Sequence, residues 1–233
     1  MIRFFDFTLS LLGLLFLFPF LIFISFCILI SSGWPILFLG KRVGKNFKEF
    51  YQIKFRTMEL DADKKREITV GFTDSRITKL GGVLRKYKLD ELPQLFNVLV
   101  GDMSLVGPRP EIQKFVDKLP IEHKLKFKIR PGITDWASIY FLNIEGVVCK
   151  FDNPELDYIN IIMPLKLQYN LIYIQNYCLK EYFKIIFITL FKIFKIPYFY
   201  TIQPPKPNEK NLNYIYPINS SSPTRKKPVQ TQS

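Results

Sequence analysis

Between Phe7 and Ile30 the chain carries no charged residue and is dense in Leu, Phe and Ile. About 20 apolar residues suffice to span a bilayer, so this run predicts a long membrane-seated helix. Pro19 lies in its middle, where a missing N–H breaks or kinks a helix. Arg3 precedes the run, and Lys41, Arg42, Lys45 and Lys48 follow it. Basic residues favour the cytoplasmic side, and with both flanks basic the simplest path enters, bends and returns. A single kinked crossing fits the same pattern, because proline is tolerated in spanning helices. A cleaved signal would carry a shorter apolar region and a small-residue cleavage site. Ser31-Ser32-Gly33 is a weak version of one, and retention is the expectation.

After Gly33-Trp34-Pro35 the period changes. In "YQIKFRTM" the residues alternate, which predicts a strand with Tyr51, Ile53 and Phe55 on one face and Lys54 and Arg56 on the other. Residues 59 to 76 are charged and turn-like. A helix is expected from near Thr78 through Leu80, Val83 and Leu84, weakened by about 1 kcal/mol at each of Gly81 and Gly82. The next helix follows Asp90: Leu92, Leu95, Phe96 and Leu99 form an i, i+3, i+4, i+7 stripe. Pro93 is allowed in its first turn and Gly101 fits its stop.

From Leu165 to Ile196 the chain is again apolar but carries Lys166, Lys180, Lys184, Lys192 and Lys195. The last four fall within an arc of roughly 120° on a helix. That reads as amphipathic interfacial helices on an anionic surface, the alternative being a packed helix with a solvated basic face. From Gln203 onward Pro, Asn, Ser and Lys dominate, a composition expected to be disordered. The fold class expected is α+β, mainly helical, with a re-entrant membrane helix, a small hairpin and interfacial helices. The expected division is residues 1–35 for the membrane helix, 36–200 for a catalytic domain and 201–233 for the tail.

The net charge of +13, from 33 Lys+Arg against 20 Asp+Glu, narrows the partners to anionic ones. The 23 phenylalanines favour lipid over nucleic acid, and no nucleic-acid module is recognisable. Cys27, Cys149 and Cys178 fit neither a zinc spacing nor a disulfide framework. His123 is the single histidine, so a His-based metal cluster is excluded.

Asp90-Glu91 is the candidate reaction centre. At a helix start the first residue need not be helical, so both carboxylates can reach one site, and the positive helix end favours an ionised acid. An ionised carboxylate can attack phosphorus, and a second can hold Mg²⁺. The bland alternative is an N-cap followed by a first-turn acid. Arg109, fixed between prolines in "GPRP", can clamp a phosphate. Arg130 repeats the theme in "IRPGIT", where Pro131-Gly132 reads as a tight turn. Lys54 and Arg56 add two cations, the alternative being charges of an exposed strand. This set suits a diphosphate substrate. No Walker A loop or dinucleotide fingerprint is present.

"KFRTM", "DSRITKLGGVLRKYKLDELPQLFNVLVGDMSLVGPRPE" and "IRPGITDWAS" occur in order, and over residues 1 to 197 the chain resembles the bacterial sugar transferases, the monotopic phosphoglycosyl transferases. The resemblance implies transfer of a sugar-1-phosphate from a nucleoside diphosphate sugar, usually a UDP-sugar, to undecaprenyl phosphate, with release of UMP. It implies Asp90 as nucleophile, Glu91 as Mg²⁺ ligand, and Arg109, Arg130, Lys54 and Arg56 as phosphate contacts. It further implies a re-entrant helix, membrane lipid as a partner, a place at the inner membrane with the catalytic domain cytoplasmic, and room for an oligomer. A non-catalytic membrane-surface scaffold or inactive homologue is the alternative. The chain departs from the family pattern in places. Phe18 rather than Ser precedes Pro19, Gly40 replaces a common Gln, Phe47 a common Gly, and Lys88 a usual Ser or Thr. "TDWASIYFLN" replaces the frequent "TGWAQVNGRN", a stretch expected to influence sugar choice.

Overall fold

A computed structural model describes residues 1–60, 62, 74–117, 119, 121–140 and 163–193. The charged stretch within 59–76 lies largely outside them, as do Cys149, Lys195 and the whole 201–233 tail, and the side chain of His123 is likewise outside.

Helix α1 (Ile2–Ser32) runs through Pro19 as one element without a break. Proline removes one backbone bond, and the turns on either side keep theirs. One stripe of α1 is buried: Asp6, Ser10, Leu14, Leu21, Ile24 and Ile28. The opposite face is exposed, with Phe16 at 83% and Ile30 at 70% of their full accessibility. Among the described residues α1 is the one helix long and apolar enough to cross a membrane.

The hairpin that follows pairs β1 (Leu37–Val43) with β2 (Glu49–Phe55) antiparallel, Gly40 opposite Gln52. Phe47 at its turn has φ 60°, in the left-handed region that favours glycine. The faces of β2 differ from the alternation expected. Phe50 and Gln52 are buried while Tyr51 is 59% exposed. The reason is a supply of polar partners: Gln52 Nε2 donates to Gln94 Oε1 at 3.0 Å, and Ile53 N–H to Asn97 Oδ1 at 2.9 Å.

Helix α2 (Lys79–Lys86) starts where Thr78 caps it, its hydroxyl accepting from Gly81 N–H at 2.9 Å. A Cβ at Gly81 would lie 2.1 Å from the Thr57 carbonyl oxygen, so this glycine is required by close approach and its low helix propensity is secondary. A 3₁₀ turn, Leu89–Glu91, leads into α3 (Gln94–Val100), which ends at Gly101 with φ 99°. Leu92, Leu95 and Leu99 pack toward α1 with Leu84 and Phe55. Phe96, fourth member of the expected stripe, is 43% exposed. The buried place on α3's other side goes to Gln94, Asn97 and Val98, which face the hairpin.

Strand β3 (Ser104–Val106) pairs with β4 (Gly132–Thr134) in parallel. Pro131-Gly132 therefore opens a strand and is not the tight turn expected. Between them lie α4 (Gln113–Asp117) and the 3₁₀ segment Ile121–Lys128. Helices α5 (Trp136–Tyr140), α6 (Met163–Gln175) and α7 (Leu179–Ile193) enclose Trp136, Tyr173, Tyr182, Ile185 and Ile188 in the main core. Lys192 shares the buried side of α7 with Ile185 and Ile188. The expected continuous basic face is thus split, with Lys180 and Lys184 exposed and Lys192 inside. Burial of apolar Ile185 and Ile188 fixes the helix rotation and carries Lys192, one and two turns on, with them.

Asp6 ties the start of α1 to this core. Its Oδ1 accepts from Ser104 Oγ at 2.9 Å, Leu105 N–H at 2.9 Å and Tyr182 O–H at 2.8 Å. Asp6→Ala would leave three donors without their acceptor in a dry site. Each such loss costs about 1–3 kcal/mol, so a fall in Tm and faster limited proteolysis are expected, while Asp6→Asn, which keeps an acceptor, should lose less. An unchanged Tm for the alanine variant would show the latch to be dispensable.

Candidate active site

Lys88 adopts φ 58° and ψ 21° directly before the Leu89–Glu91 turn. A non-glycine residue held left-handed costs about 1–2 kcal/mol, and such strain collects at functional sites. It reverses the chain after α2 so that two consecutive acids turn inward: Asp90 is 7% exposed and Glu91 8%.

The acids have opposite surroundings. Glu91 is held by two cations: Lys54 Nζ lies 3.0 Å from Oε1, and the Arg109 guanidinium donates to both carboxylate oxygens. Burial alone would raise the Glu91 pKa, but the charges of Arg109 and Lys54 more than offset it and hold the group well below the usual carboxylate range. Asp90 Oδ1 is buried with no hydrogen-bond partner. Burial, then the charge of Glu91, raises its pKa above the ordinary value, while Lys54, Arg85 and Lys88 pull it down. Lys88, a departure from the family pattern, thus acts on Asp90 through its charge. Arg85 is an addition that sequence reasoning missed, its Nε donating to Thr57 Oγ1 at 2.9 Å.

Two of the four expected phosphate contacts, Lys54 and Arg109, meet at Glu91. The other two are placed elsewhere. Arg56 donates to the carbonyls of Ser32 and Gly33 at the end of α1. Arg130 Nε donates to Gly101 O at 2.8 Å. There it joins Arg3, which donates to Val98 O and Leu99 O, at the end of α3 remote from Asp90. Cations at helix C-termini meet the orphan carbonyls and the negative end of the dipole, a demand that spacing in the sequence does not reveal.

Behind Arg109 lies a second polar group. Lys126, 4% exposed, has Glu111 Oε1 at 3.7 Å. Burial lowers its pKa against the opposing charge of Glu111. Asp135, 1% exposed, caps α5 by accepting from Ser138 N–H at 2.6 Å, and its Oδ2 has no partner. Burial raises its pKa, while the hydrogen bonds from Ser138 and then the charges of Lys166 and Arg109 lower it. Neither Lys126 nor Asp135 stands out by spacing, though Asp135 falls in the "TDWASIYFLN" departure.

A family model described as bacterial sugar transferase matches residues 1–196. A UDP-N-acetylgalactosamine-undecaprenyl-phosphate N-acetylgalactosaminephosphotransferase from Aeromonas hydrophila is 35% identical over 175 residues, covering 74% of this chain and 38% of its own length. The UDP-glucose:undecaprenyl-phosphate glucose-1-phosphate transferase of Escherichia coli (strain K12) is 35% identical over 192 residues, 81% of this chain and 39% of the relative. The exopolysaccharide production protein PSS of Rhizobium leguminosarum bv. phaseoli is 40% identical over 144 residues, 59% of this chain and 72% of the relative. The chain thus spans under two fifths of the length of the first two of these curated relatives and over two thirds of the third.

Proposed function

The chain belongs to the bacterial sugar transferase family, and on that premise we propose that it transfers a sugar-1-phosphate from a UDP-sugar to undecaprenyl phosphate through a covalent intermediate on Asp90. The observation that carries this reading is Asp90 itself: a buried acid whose Oδ1 has no partner, beside a glutamate that gathers Lys54 and Arg109. A carboxylate oxygen kept from water and from hydrogen-bond donors, as Oδ1 is, is a better nucleophile than a solvated one. The relatives' names, which specify a UDP-sugar donor and an undecaprenyl-phosphate acceptor, support the substrate classes.

Asp90 attacks the phosphorus that carries the sugar. An oxygen–phosphorus bond forms, the bond from that phosphorus to the bridging oxygen breaks, and UMP leaves with that oxygen. An oxygen of undecaprenyl phosphate then attacks the same phosphorus. The bond to Asp90 breaks, restoring the carboxylate and releasing the lipid-linked sugar diphosphate, the first intermediate of a glycan. Lys54 and Arg109 face the acid pair, so a diphosphate presented to Asp90 meets two cations; the bidentate fork of Arg109 suits phosphate oxygens.

The residues fit Mg²⁺. Two adjacent buried carboxylates, one with an orphan oxygen, suit an ion that takes one or two carboxylates and completes its shell from substrate phosphates and water. No group of three or more potential ligands occurs among the described residues, so an ion here would lean on the donor. Glu91 would hold it, and bound there it would neutralise diphosphate charge.

Helix α1 supports a membrane site with the catalytic domain on one side, at the cytoplasmic face of the inner membrane. Arg3 and Asp6 are bonded to α3, β3 and α7, and Ile24 and Ile28 pack in the cluster that holds Phe55 and Leu84. Both ends of the helix are therefore held by the same body, while Leu15, Phe16, Phe23 and Ile30 remain exposed for lipid. A helix so held, unbroken through Pro19, lies along the body on one face and presents its other face to lipid.

The test is direct. The full chain in membranes, given Mg²⁺, undecaprenyl phosphate and a panel of UDP-sugars, should release UMP from at least one donor and form a lipid-linked sugar. No UMP from any donor would overturn the reading.

A further inference from the structure

The β1–β2 hairpin has two edges, and they are finished differently. The bonds from Arg56 N–H to Ile36 O and from Gly44 N–H to Lys48 O, both 2.9 Å, fix which residues of β1 and β2 bond each other. Phe38, Gly40 and Arg42 turn their backbone groups toward β2, and Leu37, Leu39, Lys41 and Val43 turn theirs outward. On β2 the outward groups are met within the chain: Asn97 Oδ1 accepts from Ile53 N–H at 2.9 Å, and its Nδ2 donates to Tyr51 O at 2.8 Å. On β1, Val43 N–H is taken by Glu111 O at 2.9 Å, and Lys41 O by Arg42 Nη1 at 2.8 Å. The N–H and C=O of Leu37 and Leu39 and the N–H of Lys41 have no partner among the described residues.

An open edge of this kind is a template for another strand. Its side chains are apolar and exposed: Leu37 at 42%, Phe38 at 38% and Leu39 at 56%. The edge matches a second β1 running antiparallel about Phe38. Leu37 N–H then meets Leu39 O of the second copy and Leu39 N–H meets its Leu37 O, in both directions. Lys41 N–H meets Pro35 O. Pro35 has no N–H to give, and it faces the one carbonyl that Arg42 already bonds. Leucine lies opposite leucine and Phe38 opposite Phe38, apolar cross-strand pairs that stabilise a sheet. Lys41 meets no like charge. An in-register parallel pairing would set Lys41 against Lys41, and a shift of the centre to Leu39 would set it against Leu37.

We propose that β1 pairs edge to edge with β1 of a second copy of this chain, joining two two-stranded hairpins into one antiparallel sheet across a two-fold axis. Such an interface is isologous and closed, since each copy uses its open edge once. An edge this short is weak between free molecules. Helix α1, long and apolar enough to cross a membrane, holds copies in one layer, where their meeting is nearer to an intramolecular event. The pairing depends on that membrane seat and not on the reaction.

The experiment uses the full chain in lipid vesicles, with Cys27→Ser, Cys149→Ser and Cys178→Ser as background. Phe38→Cys places two thiols side by side on the two-fold axis, in a wide pair whose spacing suits a disulfide. Lys41→Cys places them roughly 20 Å apart, at about 3.3 Å per residue. Under mild oxidation Phe38→Cys should give a covalent dimer at least about tenfold faster than Lys41→Cys. Leu39→Pro, in the chain without added cysteines, removes an N–H that β2 does not use and is tolerated on an edge. It should weaken the dimer by about tenfold or more, read as the fraction of paired chains in single-molecule photobleaching as protein is diluted in lipid. Should that variant not fold, Leu39→Lys, which leaves the backbone intact and charges the edge, decides in its place. Equal cross-linking at positions 38 and 41, or a dimer untouched by the edge variant, would overturn the pairing. So would slowed amide exchange at Leu37 and Leu39 in a chain that stays monomeric, since another strand would then occupy the edge. A monomeric chain that releases UMP would leave the transferase reading intact while overturning the pairing; a paired chain that releases none would do the reverse.

Discussion

Asp90→Asn is expected to abolish UMP release and, in the same protein, to raise Tm. The first effect follows from removing the nucleophile: an amide cannot form the acyl phosphate, and losses of about 10⁴-fold or more are usual when such a group is removed. The second follows from burial. The Asp90 pKa is raised first by desolvation and then by Glu91, so the fold holds this carboxyl in surroundings that disfavour its charge. Asn has nearly the same shape and no charge, and a gain of about 1 kcal/mol would raise Tm by a few degrees. The pH dependence carries the same sign. Between the ordinary and the raised value the folded state binds the proton more readily than the unfolded chain, so acidification through that window relieves the cost of Asp90. It also removes the ionised nucleophile, so UMP release should decline at a higher pH than an unperturbed aspartate would give. Glu91 behaves oppositely: held low by Arg109 and Lys54, its contribution to stability persists until the pH falls through its depressed value. Retained turnover by Asp90→Asn would sink the nucleophile, and an unchanged or lower Tm would sink the account of its burial.

Gly132→Ala should produce the largest loss of stability. A Cβ there would lie 2.0 Å from Gly107 N, 2.5 Å from Gly107 O and 2.6 Å from Gly107 Cα. These are backbone atoms of the crossing chain and cannot swing aside. The same crossing carries Gly107 N–H to Thr134 O at 3.0 Å and Gly132 N–H to Pro108 O at 3.0 Å. Making room would part β3 from β4 and displace the "GPRP" loop that presents Arg109. Overpacking costs about 1–3 kcal/mol and each lost backbone bond about 1 kcal/mol more, so a loss of at least about 3 kcal/mol is expected, seen as a lower Tm and a fall in UMP release. Gly82→Ala is the internal comparison. Its Cβ would meet only Ile77 Cγ2 at 4.0 Å, and alanine's better helix propensity should leave stability unchanged or raised by up to about 1 kcal/mol. Equal behaviour of the two variants would refute the close-approach explanation.

Much of the local structure was legible because it depends on near neighbours. The 24 residues of uncharged apolar chain from Phe7 to Ile30 become most of α1, Thr78 starts α2, and Gly101 stops α3 with φ 99°. Where local pattern misled, a partner distant in sequence had intervened. Gln52 turned inward because Gln94 could bond it. Phe96 stayed out because the inner places on α3 went to leucines on one side and to Gln94, Asn97 and Val98 on the other.

The candidate site divides in the same way. Adjacency in the chain was enough to nominate Asp90 and Glu91, since two acids at a helix start are brought to one place by covalent geometry. The sequence by itself also fixed the long apolar helix, the excess of positive charge and the long motif that marks the family. It could not say which cations meet the acid pair. Of the four nominated, Lys54 and Arg109 do, while Arg56 and Arg130 satisfy carbonyls at helix ends. Nor could it show that Lys126 lines a cleft with Arg109, or that the charge of Asp135 reaches both. Tertiary structure decided those matters, because an arginine bonds whichever acceptor the fold leaves unpaired, and a charge's effect depends on distance and burial rather than on place in the chain.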